Sequence, residues 1–368
     1  MSVKSPLEMF YRWEQETPDQ VYLRQPQNLE WTEYTWAQVS DQVRRIAAYL
    51  KSQGYPEGSR IAIWSSNSKD WPICDLAIML AGYVTVPIYP GQDTGSANYI
   101  FNHSESKLVF CGDFDQAANV GDALVEGMET VAMLGCSIDA DTSLEQICAE
   151  NEPYPESPVP DPEDVFTIVY TSGTTGNPKG VMHMHQTPGH VVPGLVEGFR
   201  MREGENRLFS FLPMSHAAER IAVEMTSLYA NAPISFSEGL TTFGDEIRSV
   251  QPTFFFAVPR LWVKFKEGVD AKIPPAAQAG LTDEQKAGIA HQLGLGEARI
   301  ILTGSAPCPR DVQDWFLDMG IALRDGYGMT ENFIHGVAWL HTDKPVSGCV
   351  GKPMDETVQV RLSDSGEI

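Results

Sequence analysis

Apolar residues recur along the first third of the chain at two alternating periods. Thr35-Trp36-Ala37-Gln38 has the pattern of a capping box with Thr35 as N-cap. Behind it Val39, Val43, Ile46, Ala47 and Leu50 fall at helical spacing, and Gly54 supplies a stop. Ile61-Ala62-Ile63-Trp64 reads as a short strand and Asp70 as the cap of a helix running through Leu80. Val84-Thr85-Val86-Pro87-Ile88 and Leu108-Val109-Phe110 are strand-like again. Short apolar strands alternating with helices predict a parallel sheet covered on both faces.

Between 150 and 164 the pattern breaks. Pro153, Pro155, Pro158, Pro160 and Pro162 sit among acids, which predicts an extended surface connector. The alternation resumes with strands expected at 165–170, 208–212, 234–236, 254–258 and 300–302, and helices around 219–228 and 310–319. After Pro345, Val358-Gln359-Val360-Arg361-Leu362 alternates like an antiparallel strand, Ser363-Asp364-Ser365-Gly366 is a turn, and Glu367-Ile368 begins a return. The expected fold class is α/β, with two layered α/β subdomains of largely parallel sheet over 1–160 and 161–345. The start of a small β subdomain follows over 346–368. An unpaired hairpin leaves backbone groups open, so the chain is expected to be part of a longer protein.

A length of 368 residues suits two or three packed units, and 42% hydrophobic with 20% charged residues is the balance of a soluble globular protein. A net charge of -23 argues against a nucleic-acid partner and against electrostatic docking on anionic lipid. The six cysteines are scattered without a CxxC pair and are expected to be free thiols in a reducing compartment. The N-terminus lacks the apolar core of a signal peptide. The most apolar run, 76–89, is broken by Gly82 and Pro87 and falls short of the ~20 residues that span a bilayer. A cytoplasmic protein is expected, with at most peripheral contact at the inner membrane face.

The chemistry concentrates in YTSGTTGNPKGVMH, Tyr170 to His183. Its loop leaves the C-terminal end of a buried-type strand, where open parallel sheets place ligands. Gly173, Gly176 and Gly180 let backbone approach a ligand, and Thr171, Ser172, Thr174, Thr175 and Lys179 add donors and one positive charge. Each charge-assisted hydrogen bond is worth roughly 1.5–3 kcal/mol, so several together hold a polyphosphate. The GxxxxGK(S/T) pattern of P-loop enzymes does not fit, because Lys179 precedes Gly180 rather than a hydroxyl.

This loop resembles the signature of the adenylate-forming (AMP-binding) superfamily. Three further stretches carry the likeness in the expected order: Leu212-Pro213-Met214-Ser215-His216-Ala217-Ala218-Glu219-Arg220, Gly304-Ser305-Ala306-Pro307 and Asp325-Gly326-Tyr327-Gly328-Met329-Thr330-Glu331. The first is similar to the LPxxHxxER segment of long-chain acyl-CoA synthetases, as VTVPIYP and FAVPRLW are to other parts of them. The resemblance implies the following roles. The loop Thr171 to Lys179 holds the β- and γ-phosphates of ATP. Tyr327 covers one face of adenine and the Gly304-Ser305-Ala306 backbone the other, with Asp325, Gly326 and Gly328 around them. Thr330 meets the α-phosphate, while Glu331, with Thr171, ligates Mg²⁺. His216 lies near the acyl pocket, whose tunnel is lined from 212–229 and 253–258.

The activity implied is ATP-dependent conversion of a fatty acid to acyl-AMP and then, with CoA, to the thioester. The alternatives are an adenylating enzyme for an aryl or amino acid, or a remnant that binds ATP or acyl-adenylate without turnover. The family pattern continues into a barrel and a mobile C-terminal domain bearing a catalytic lysine, which this sequence does not supply. Glu219-Arg220 is read as an adjacent pair at a helix start without a catalytic role. His183 and His185 are read as a strand or loop face rather than a metal pair.

Overall fold

The computed structural model describes residues 3–114, 120–171 and 176–368. Its largest unit is a seven-stranded sheet in the order Thr142–Ser143, Glu129–Ala132, Leu108–Cys111, Arg60–Trp64, Val84–Ile88, Val165–Thr171, Lys179–Met184. Neighbours are parallel throughout except the last pair, an antiparallel hairpin. Period-two alternation explains why both faces are covered. Ile61 and Ile63 pack with Val39, Val43, Ile46 and Leu50. Ala62 and Trp64 point to the other side, against Ile100 and Phe101. Fully burying each such aliphatic side chain stabilises by roughly 1.5–3 kcal/mol.

Helix Trp36–Ser52 forms as its pattern predicts. Thr35 Oγ1 accepts from Gln38 N at 3.3 Å and Gln38 Oε1 accepts from Thr35 N at 2.9 Å. Asp70 does not cap its helix. It lies inside the first turn of Asp70–Leu80, where its carboxylate accepts from Leu134 N at 2.8 Å and pairs with Lys69. A tertiary partner outcompetes the local one.

The sheets do not part at residue 160. Val165–Thr171 and Lys179–Met184 join the first sheet through Thr85↔Thr167. Conversely, Val21–Gln27 and Glu30–Thr35 join the second sheet, which runs Leu208–Ser210, Ile234–Phe236, Val21–Gln27, Glu30–Thr35. The connector 151–164 contains no helix or strand. Arg44 pins it by donating to Tyr154 O at 3.0 Å and Glu156 O at 2.9 Å.

A five-stranded sheet completes the fold: Phe254–Ala257, Ile300–Thr303, Leu323–Tyr327, Val337–Ala338, Lys352–Pro353. The first three strands are parallel and the last two turn antiparallel. Residues 358–362 form no strand, although they alternate as one does. Alternation makes a ladder only against a partner strand, and none of the described residues pairs with them. No helix among the described residues is long and apolar enough to cross a membrane. The six cysteines are unpaired, with Cys74, Cys111 and Cys308 buried.

Candidate active site

The phosphate-type loop springs from the hairpin Val165–Thr171/Lys179–Met184, whose last pairs are Tyr170↔Gly180 and Thr171↔Lys179. Ser172, Gly173, Thr174 and Thr175 lie outside the described residues. At the stem, Thr171 is half-buried and Lys179 exposed. Gly180 is needed there, because a Cβ would stand 2.6 Å from Ile168 Cγ2. Tyr170 meets His103 Nδ1 at 2.8 Å, and burial raises its hydroxyl to about 12.

Strands Ile300–Thr303 and Leu323–Tyr327 run parallel in the register Thr303↔Asp325, so their C-terminal ends lie side by side. The turns beginning at Gly304 and Gly328 leave from those ends. A Cβ on Gly304 would lie 3.2 Å from Gly326 O, and Ser305 takes a left-handed φ of 66°. Asp325 is buried and accepts from Gly326 N at 2.9 Å and Gln313 Nε2 at 3.1 Å. Burial raises its carboxyl to about 6. Its bonds are to neighbouring protein groups, which makes it a brace for the turn. Ala306 is exposed on the rim.

Thr330–Asn332 is a single 3-10 turn, with Thr330 half-buried and the Glu331 carboxylate exposed. It ends in two left-handed residues, Phe333 at φ 53° and the β-branched Ile334 at φ 57°. Backbone of this kind persists only where packing enforces it. The packing comes from the hairpin: the His183 and Phe333 rings lie 4.8 Å apart. Burial, and then the charge of Arg220, lower His183 to about 4, against the pull of the Thr330 backbone and Glu331. His185 is likewise lowered to about 4 by burial. Both rings are therefore neutral near pH 7. Among the described residues, no group of three or more His, Cys, Asp or Glu is placed to hold a metal.

Between these turns opens a narrow, mostly apolar cavity of about 80 Å³. Gly304, Ser305, Gly326, Tyr327 and Gly328 form one side. Ala218, Ile221, Ala222 and Thr226 form a wall on one helical segment, and Phe254, Phe256, Leu302, Leu195 and Phe199 complete the lining. The structure thus joins the two adenine-type motifs to the segments expected to line a tunnel. Leu195, Phe199, Ile334 and Ala338 were not legible as lining, because any apolar residue serves and no spacing marks them. His216 is not among the described lining residues. It caps the turn Ala217–Glu219, its Nδ1 accepting from Ala218 N at 3.2 Å, and burial lowers its pKa.

Glu219 and Arg220 are not a pair with each other. Both are 1% exposed. Glu219 accepts from Ser210 Oγ at 2.8 Å and Phe211 N at 3.1 Å, and burial raises its carboxyl to about 8. Arg220 forks onto both oxygens of Asp75 at 2.6 Å, donates to Glu224 at 3.3 Å and reaches Thr167 Oγ1. Burial, then Asp75, hold Glu224 well above the carboxylate range. A signal existed: Asp75 and Glu224 sit between apolar residues in helical stretches, where a buried charge needs a partner.

Parallel strands whose ends carry two glycine-bearing turns beside one cavity make a candidate ligand site on an α/β scaffold. The chain belongs to the AMP-binding enzyme family, whose model matches residues 10–367. It is 26% identical over 408 residues to the long-chain-fatty-acid–CoA ligase FadD15 of Mycobacterium bovis, covering 98% of this chain and 66% of that protein. It is 28% identical over 358 residues to the rat long-chain-fatty-acid–CoA ligase 5, covering 84% and 52%. The chain thus spans between half and two thirds of the length of these relatives. Among solved structures, apo MatB from Rhodopseudomonas palustris superposes with a TM-score of 0.79 at 22% identity, over 99% of this chain and 67% of that one. A benzoate CoA ligase from Burkholderia xenovorans gives 0.78 at 17% identity, over 98% and 70%. These two likenesses show the fold.

Proposed function

We propose that this chain supplies the nucleotide and acyl sites of an ATP-dependent fatty-acid–CoA ligase. The observation that carries the reading is the mostly apolar cavity lined both by Gly304, Ser305 and Tyr327 and by Ile221, Phe254 and Phe256. An alkyl chain in it would present its carboxylate where a nucleotide stacked on Tyr327 presents its phosphates. In this reading the loop Thr171 to Lys179 holds the terminal phosphates and Thr330 donates to the α-phosphate. One carboxylate oxygen attacks the α-phosphorus, the bond to the bridging oxygen breaks, and pyrophosphate leaves with that electron pair. The CoA thiol then attacks the acyl carbon and AMP departs. The substrate is itself the nucleophile, so the protein's part is orientation and stabilisation of developing charge.

Glu331 suits Mg²⁺, because it is an exposed hard-oxygen ligand next to Thr330, the residue assigned to the α-phosphate. Such a cation takes one or two carboxylates and completes its shell with phosphate oxygens and water. When bound it would neutralise charge on the phosphates. Thr171 is the second residue assigned to it.

Binding measurements test this reading without requiring turnover. The chain is titrated calorimetrically with AMP and with non-hydrolysable acyl sulfamoyl adenosines. The dodecanoyl compound is expected to bind about tenfold or more tighter than AMP, because its alkyl arm leaves water. A benzoyl compound binding more tightly than the dodecanoyl one sinks the fatty-acid assignment in favour of an aryl acid.

A further inference from the structure

The cavity wall is tied down on both sides by the two charged residues that open it. Glu219 holds it to the second sheet through Ser210 and Phe211. Arg220 turns the other way. Its guanidinium meets Asp75 on helix Asp70–Leu80 and Thr167 on strand Val165–Thr171. Thr167 Oγ1 in turn donates to Thr85 O at 2.9 Å in the neighbouring strand. The rings of Phe166 and Trp71 lie 5.2 and 5.5 Å from Arg220 Cζ. One buried side chain therefore spans the wall, a helix and the strand that feeds the phosphate-type loop.

The backbone supports this arrangement. Arg220–Met225 is a π turn between the α-helical turns Ala217–Glu219 and Thr226–Ala230. Such single-turn expansions concentrate at functional sites. Here Ile221, Ala222 and Thr226 line the cavity while Arg220 and Glu224 meet Asp75's side of the core. A lysine cannot reproduce the planar fork that reaches Asp75 and Thr167 together.

We propose that Arg220 is a positioning residue that fixes the acyl-cavity wall relative to the phosphate-loop strand. It would thereby hold an acyl chain and a nucleotide at the spacing their joined form requires. The proposal rests on the reading given under Proposed function. It goes beyond a stabilising role, because it predicts a loss specific to ligands that occupy both halves.

The test compares the wild-type chain with Arg220→Lys and Thr167→Val. Each is titrated with AMP and with dodecanoyl sulfamoyl adenosine, with folding checked by circular dichroism. Arg220→Lys is expected to weaken the joined ligand about tenfold while AMP changes less than about threefold. Thr167→Val removes the contact of Arg220 to the strand, together with the Thr167 bond to Thr85 O, and is expected to lower the ratio of the two affinities in the same direction, by about threefold. If Arg220→Lys does not fold, the ratio in Thr167→Val decides. Equal losses for both ligands, or an unchanged ratio, overturn the proposal while leaving the functional reading in place. A wild-type chain that binds AMP and gains nothing from the alkyl arm overturns that reading, and the proposal with it.

Discussion

On the rim of the cavity, a Cβ at Gly328 would stand 2.8 Å from Ile334 Cα and one at Gly304 3.2 Å from Gly326 O. Behind the opposite wall, Arg220, Asp75, Glu219 and Glu224 are all 1% exposed or less. The rim is shaped by what is missing from its side chains. The wall is shaped by full-length charged side chains, of which Arg220 reaches Asp75 and Thr167 far along the chain and Glu219 reaches Ser210 and Phe211 nearby. A backbone rim suits a ligand recognised by hydrogen bonds and close stacking. An apolar wall has no polar handle of its own, so its place must be fixed from behind. The contrast teaches where each kind of damage should appear: in ligand affinity at the rim, in stability and spacing at the wall.

The largest expected effect is on the wall. Arg220→Met removes the cation and leaves Asp75 buried without its partner, which costs about 3–5 kcal/mol. Urea unfolding followed by tryptophan fluorescence measures it. A loss below about 1 kcal/mol would show that the charges are not what anchors the wall. Next comes the rim. Gly328→Ala forces a methyl group against the Ile334 backbone, at about 1–3 kcal/mol by the usual cost of overpacking. Its signature should be weaker AMP binding with the joined-to-AMP affinity ratio retained, the reverse of the Arg220 pattern. Normal AMP affinity in a folded Gly328→Ala chain would detach this turn from the nucleotide.

The two regions differ in how far they can be read from sequence for the same physical reason. Gly304, Gly326 and Gly328 are legible through the resemblance of their two stretches to family motifs. Thr35 and Gln38 are legible because a capping box is local. Asp70 misleads, since its acid finds Leu134 N across the fold rather than its own helix. The pairing of Leu23 with Ile234 could not be seen, because nothing in either strand names its neighbour. Glu219 and Arg220 look like a pair in the sequence, yet consecutive helical residues point about 100° apart. That divergence sends one to Ser210 and the other to Asp75. The cavity draws on separated segments, of which 212–229 and 253–258 were legible as lining only through the family resemblance.

The remaining effect is electrostatic, develops with pH and belongs to Glu219. Burial raises its carboxyl from the ordinary 4.5 to about 8. The folded chain therefore keeps a proton that the unfolded chain releases between those values. Stability from this group is fully present below about 4.5, declines as pH rises, and levels off above about 8. Glu219→Gln keeps a neutral side chain of the same shape and has no proton to release. The stability of the variant relative to wild type should then climb between pH 5 and 8, by up to about 1.4 kcal/mol per unit. His183 and His185, lowered to about 4 from 6.5, act in the opposite sense. They lose their contribution as pH falls from 6.5 towards 4, but both proteins carry them and they largely cancel in the difference. Urea midpoints at several pH values supply the measurement. A flat difference from pH 5 to 8 would mean that Ser210 and Phe211 stabilise an ionised Glu219 despite its burial, and that the wall rests on a charge at this end too.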